Sequence, residues 1–106
     1  MVEIIWTEPA LSDLDAIADY IALENYEAAS ALVRRVFEHV AQLEKHPESG
    51  SRPAELKRSR YRQIVESPCR VFYRYDGERV FVVHVIRSER LLRKSRLRSS
   101  KREGKL

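Results

Sequence analysis

The spacing of apolar residues changes period along this chain, first after residue 6 and again after residue 50. Val2, Ile4, Ile5 and Trp6 form a short β-branched and aromatic run that reads as a strand. Thr7 follows as a helix cap. Glu8 in the first turn complements the dipole, and Pro9 sits where its missing N–H is tolerated. Leu11, Leu14, Ile17, Ala18 and Ile21 then recur at three- and four-residue steps, the stripe of an amphipathic helix. Asn25 caps a second helix with the stripe Ala29, Leu32, Val33, Val36, Phe37, Val40 and Leu43. His46-Pro47 followed by Glu48-Ser49-Gly50 stops it. Two such helices joined by a few residues predict an antiparallel hairpin.

Beyond residue 50 the pattern is that of strands. Arg60 to Glu66 predicts one, broken by Ser67-Pro68. Arg70 to Tyr75 and Arg79 to Arg87 flank Asp76-Gly77, a two-residue hairpin signal. The predicted order is βααβββ, an α+β fold with the helical hairpin covering one face of a small, mostly antiparallel sheet. With Asp76 and Gly77 as the loop, Tyr73 pairs with Val80, Phe72 with Phe81 and Val71 with Val82. One face then carries Val71, Tyr73, Tyr75, Val80, Val82, His84 and Ile86, expected against the helices. The other carries Arg70, Phe72, Arg74, Arg79, Phe81, Val83, Val85 and Arg87. Basic residues interleaved with aromatics suit phosphate contact with stacking.

The chain has 106 residues, 43% hydrophobic and 34% charged, which fits one domain and excludes a disordered chain. One cysteine, Cys69, excludes an internal disulfide, and with three histidines no structural zinc site is expected. The apolar run Val80 to Val83 is far too short for a membrane span, and Met1-Val2-Glu3-Ile4 does not open a secretory signal. A soluble, cytoplasmic domain is expected. Charge is unevenly distributed: residues 1–51 hold three basic and ten acidic side chains, residues 52–106 seventeen basic and six acidic. An acidic and a basic face on one domain follow, the basic one suited to phosphates or an acidic protein.

Other candidate chemistry is thin. His84 falls on the core face, where a hydrogen-bonded structural role is expected. His39 and His46 lack a cysteine or carboxylate at ligand spacing, and Cys69 has no histidine nearby to activate it. Asp13, Asp15 and Asp19 read as a solvated helix face. Three glycines make no phosphate loop, and no cofactor or metal is indicated.

In order and spacing the chain resembles the RelE/ParE superfamily of bacterial toxins, from type II toxin–antitoxin (plasmid stabilisation) modules. The resemblance rests on Ile5-Trp6-Thr7 running into Ala10, Asp13-Leu14, Ile17 and Tyr20-Ile21, then on Leu43, His46-Pro47 and Gly50. It continues through Arg62, Cys69-Arg70-Val71-Phe72-Tyr73-Arg74-Tyr75 and Val83-His84-Val85-Ile86-Arg87-Ser88-Glu89-Arg90. It implies a toxin domain over residues 1–93, followed by a flexible basic tail, 94–106. It also implies a cognate antitoxin and a cytoplasmic target, with no membrane. That target is DNA gyrase for ParE-like members, which inhibit by binding. For RelE-like members it is messenger RNA on the ribosome, cleaved as an endoribonuclease reaction. In the RNA cleavers arginines and lysines stabilise the scissile phosphate, and the resemblance assigns Arg62, Arg70 and Arg90 to that role. Arg74, Arg79, Arg87, Arg93, Leu91 and Leu92 are the residues expected to bind target or antitoxin. The cleavers' C-terminal tyrosine or histidine is absent here, since no aromatic or histidine follows Ile86. That absence and the long helical hairpin favour the ParE branch. An inactive homologue that only binds antitoxin is the third reading.

Overall fold

A computed structural model of the chain describes residues 1–87. Arg90, Leu91, Leu92, Arg93 and the expected tail over 94–106 lie outside the described residues. The elements are β1 (Glu3–Trp6), α1 (Glu8–Ala22), α2 (Tyr26–Ala41), β2 (Tyr61–Glu66), β3 (Cys69–Tyr75) and β4 (Arg79–Arg87). The order matches the α+β arrangement expected. Short 3₁₀ turns at Gln42–Glu44 and Ala54–Leu56 are added to it. The strands lie in the order β1-β4-β3-β2, with β1 parallel to β4 and the other pairs antiparallel.

Local chemistry sets the helix starts. Thr7 Oγ1 accepts from the Ala10 N–H at 3.4 Å and donates to the Val82 carbonyl at 2.8 Å, so one hydroxyl caps α1 and ties it to the sheet. The Asn25 side chain accepts from the Ala28 N–H at 3.0 Å and starts α2 three residues after α1 ends. Leu14, Leu32, Val36, Val40 and Leu43 then bury against Ile64, Val71, Tyr73, Val80, Val82 and Val85. The stripes are wider than the sheet they cover. Leu11 and Phe37 are each 39% exposed, and Phe37 closes the edge of the core on Trp6, 4.6 Å between ring centroids.

The hairpin corrects the expected register. Asp76 is the last paired position, not a loop residue: its N–H donates to the Arg79 carbonyl at 3.1 Å. Its Oδ1 accepts from the N–H groups of Glu78 at 2.9 Å and Arg79 at 2.8 Å. The two-residue loop is therefore Gly77-Glu78. Gly77 has φ +97°, the left-handed value a hairpin of this kind requires at its first loop position. Tyr75 pairs with Val80 and Tyr73 with Val82. Moving the turn by one residue shifts each pairing by two, which preserves the faces.

A bulge does not preserve them. Phe72 pairs with His84 and Tyr73 with Val82, leaving Val83 as the extra residue on β4. Beyond it, Val85 packs in the helix-side core and Ile86 on the opposite face, the reverse of expectation. Arg87 also changes sides: its guanidinium lies 5.6 Å from the Tyr20 ring of α1, not on the basic face.

The opposite sheet face has an apolar centre of its own. Tyr61, Phe72, Val83 and Ile86 form a second buried cluster, with Leu56 and Phe81 packed against it.

Candidate cationic site on the second sheet face

Two arginines, Arg70 and Arg74, stand four residues apart on β3, on the face away from the helices, and their surroundings differ. Arg70 is 9% exposed. It makes a bidentate pair with Glu55, at 3.0 Å and 2.8 Å, and donates to Gln63 Oε1 from Nε at 3.0 Å and from a terminal nitrogen at 2.7 Å. Its guanidinium also lies 4.9 Å from the centre of the Phe72 ring. Fork-on-carboxylate geometry with little water access is the strong form of this interaction. Glu55 reaches it from the Ala54–Leu56 turn, which packs Leu56 on the second cluster.

Arg74 sits at the hairpin end of the same face. Its guanidinium lies 4.2 Å from the centre of the Phe81 ring, and that of Arg79 lies 5.6 Å from the same centre. The buried Nε of Arg74 has no hydrogen-bond partner among the described residues. Burial first, then repulsion from Arg60, with Arg79 adding to it, holds Arg74 below the ordinary arginine range. Asp76 at this end offsets that only in part. Asp76 is engaged by backbone N–H groups, and no carboxylate of the described residues ion-pairs with Arg60, Arg74 or Arg79.

Arg62 is on β2 as expected, but it pairs in register with Tyr73 and so leaves the sheet on the helix side, whereas Arg70 leaves on the other. It donates to the carbonyls of Glu48 at 3.2 Å and Gly50 at 2.9 Å, and lies 3.6 Å from the Glu48 carboxylate. Gly50 in turn donates to the Tyr73 hydroxyl at 2.9 Å, and burial raises the Tyr73 pKa. A Cβ at Gly50 would lie 2.6 Å from that hydroxyl, so this close approach requires glycine. Of the three arginines expected around a scissile phosphate, the sheet separates two, and Arg90 lies outside the described residues.

The remaining candidates are structural. His84 Nδ1 lies 3.1 Å from Asp13 Oδ2, which also accepts from the Val85 N–H at 3.1 Å. Asp13 is thus no member of a solvated face; it fastens α1 to the bulged strand, while Asp15 and Asp19 are exposed. His39 meets Glu66 at 3.1 Å, beside an Arg35–Glu66 pair at 3.3 Å. Cys69 is fully buried. Among the described residues no cluster of histidine, cysteine and carboxylate could hold a metal, and no helix is long and apolar enough to cross a membrane.

Sequence reasoning missed Glu55, Gln63 and Asp13. Glu55 had a signal, as the one acid among residues 52–65. Asp13 had one in its place in the motif that carries the resemblance, but its partners, more than seventy residues away, are not readable from spacing.

Residues 4–92 match the model of a family described as the ParE toxin of the parDE type II toxin–antitoxin system. The chain is similar to Toxin RelE2 of Caulobacter vibrioides, 34% identical over 89 residues covering 82% of this chain and 92% of that protein. It is also similar to Putative toxin Y4kP of Sinorhizobium fredii, 36% identical over 81 residues, 74% of this chain and 83% of that one. Among solved structures it resembles a chain from the chromosomal ParDE system of P. aeruginosa, with a TM-score of 0.68 and 26% identity. That match covers 82% of this chain and 96% of the other.

Proposed function

Because the chain belongs to the ParE toxin family of type II toxin–antitoxin systems, within the RelE/ParE superfamily, we propose that it arrests growth by binding and poisoning DNA gyrase. In this reading a cognate antitoxin neutralises it in the cytoplasm, as a plasmid or chromosome stabilisation module requires. The observation that carries the binding reading is the state of the arginines. Cleavage of a phosphodiester needs cations converging on one phosphate and a group to move a proton. Arg62 and Arg70 leave opposite faces of the sheet, and Arg70 is engaged by Glu55 and Gln63. The cations that stay open, Arg74 and Arg79, suit electrostatic docking.

The second reading is a ribosome-dependent endoribonuclease using Arg62, Arg70 and Arg90, favoured by the similarity to a protein named Toxin RelE2. Pulse labelling after tightly controlled induction separates the two. The gyrase reading predicts that thymidine incorporation falls first while translation persists. Collapse of methionine incorporation within minutes would favour the nuclease. Unimpeded growth of a host making folded protein would leave only an inactive antitoxin-binding homologue.

A further inference from the structure

The open end of the second sheet face is more than a general basic surface. Arg74 and Arg79 stack on one ring, so their guanidinium carbons are no further apart than the sum of their two distances to it. Stacking fixes a guanidinium's plane and leaves its edge N–H groups available for an oxyanion. Arg60 is close enough to repel the charge on Arg74, and Arg52, Lys57 and Arg58 lie on the segment leading to it. Such a group of like charges disfavours the free protein and is relieved by a polyanion rather than by a single carboxylate.

The aromatics of this face decide which polyanion. Single strands are held by bases stacked on exposed rings. Here Tyr61 and Phe72 are buried, and the Phe81 ring is taken up by the two guanidiniums. The interleaving that suggested base stacking in the sequence thus presents no open ring on this face among the described residues. What remains is charge aimed outward without a stacking platform, which suits the sugar–phosphate backbone of a duplex.

We propose that Arg60, Arg74 and Arg79 form a sequence-independent contact for the backbone of double-stranded DNA. The inference rests on the gyrase reading, since gyrase holds the duplex that the toxin would meet in its complex. It gives the hairpin end a second role, clamping DNA beside the enzyme.

The test is fluorescence anisotropy of the full chain with a labelled duplex at several salt concentrations, without gyrase. Each arginine–phosphate contact contributes about 0.9 to the slope of log affinity against log salt. Arg74→Gln with Arg79→Gln is expected to flatten that slope by about two units and weaken binding roughly tenfold per arginine at 0.1 M salt. Arg60→Gln alone removes about one unit. Arg34→Gln, the same charge change on exposed α2, leaves the slope unaltered. Circular dichroism confirms that each variant is folded. Equal slopes in the wild type and the Arg74/Arg79 variant would overturn the proposal. Tighter binding of a single strand of equal length, or of polyglutamate in place of the duplex, would overturn it as well. Failure here leaves gyrase poisoning to be judged by its own assay. Conversely, Arg74-dependent duplex binding without gyrase inhibition supports this contact and removes the gyrase reading.

Discussion

Arg70 and Arg74 share a strand and a face, and they show how one residue type serves two ends. At the Arg70 end a carboxylate and an amide take up the guanidinium. At the Arg74 end the cation rests on a ring beside two others, and its Nε lacks a partner among the described residues. The first end holds the Ala54–Leu56 turn on the sheet. The second has no ion-paired carboxylate among the described residues. Strain from like charges is tolerable there because solvent screens it until an anion arrives.

Removing the carboxylate at the closed end has the largest effect on folding. Glu55→Ala strands a nearly buried Arg70 and is expected to destabilise the domain by about 3 kcal/mol in denaturant titration. Arg70→Met combined with Glu55→Leu is expected to restore most of that stability, because an apolar pair replaces a desolvated ionic one. If binding is the mechanism, the restored double variant still arrests growth. Its loss of toxicity while fully folded would mean that Arg70 has a chemical role.

Tyr73→Phe is next, at about 1–3 kcal/mol, since the buried Gly50 N–H loses its acceptor. The sign of its pH dependence follows from burial. The folded pKa of Tyr73 is raised, so its contribution is complete below the unfolded value near 10 and is lost as pH rises through the folded one. The variant is therefore expected to lose less stability than wild type above about pH 10.

At the open end the same measurements should barely move. Arg74→Gln is expected to cost about 0.5–1 kcal/mol, the stacking on Phe81. A loss as large as that of Glu55→Ala would show that the hairpin end is structural too. The smallest effect belongs to Asp76. Its backbone hydrogen bonds depress its pKa, so its stabilisation is present above the unfolded value near 4 and fades as pH falls through the folded one. Asp76→Ala should flatten only the acid limb of a stability–pH curve.

The parts of this molecule that were readable in sequence are those whose cause is local. Thr7 and Asn25 cap helices because a side-chain oxygen reaches an N–H three residues on, and that distance is written in the chain. Strand order along the chain followed from the change in apolar period. The hairpin register did not, because Asp76 bonds across the turn instead of forming it. The bulge at Val83 was hidden for a different reason. Beside it Asp13, on α1, reaches His84 and the Val85 N–H, so a tertiary bond meets the strand where its faces exchange. Arg87 moved to Tyr20 as a consequence. The basic residues were legible as a set. Which of them are closed depends on Glu55 folding back across a turn.

We propose above that the toxin binds gyrase through its open cations. It is tested most directly with purified full-length protein, purified gyrase and supercoiled plasmid, trapping cleavage complexes with detergent and protease. Linear DNA should accumulate with toxin dose, persist with the folded Arg70→Met/Glu55→Leu variant and fall with Arg74→Gln/Arg79→Gln. Undisturbed supercoiling with no linear product, from protein that still arrests growth, would contradict it.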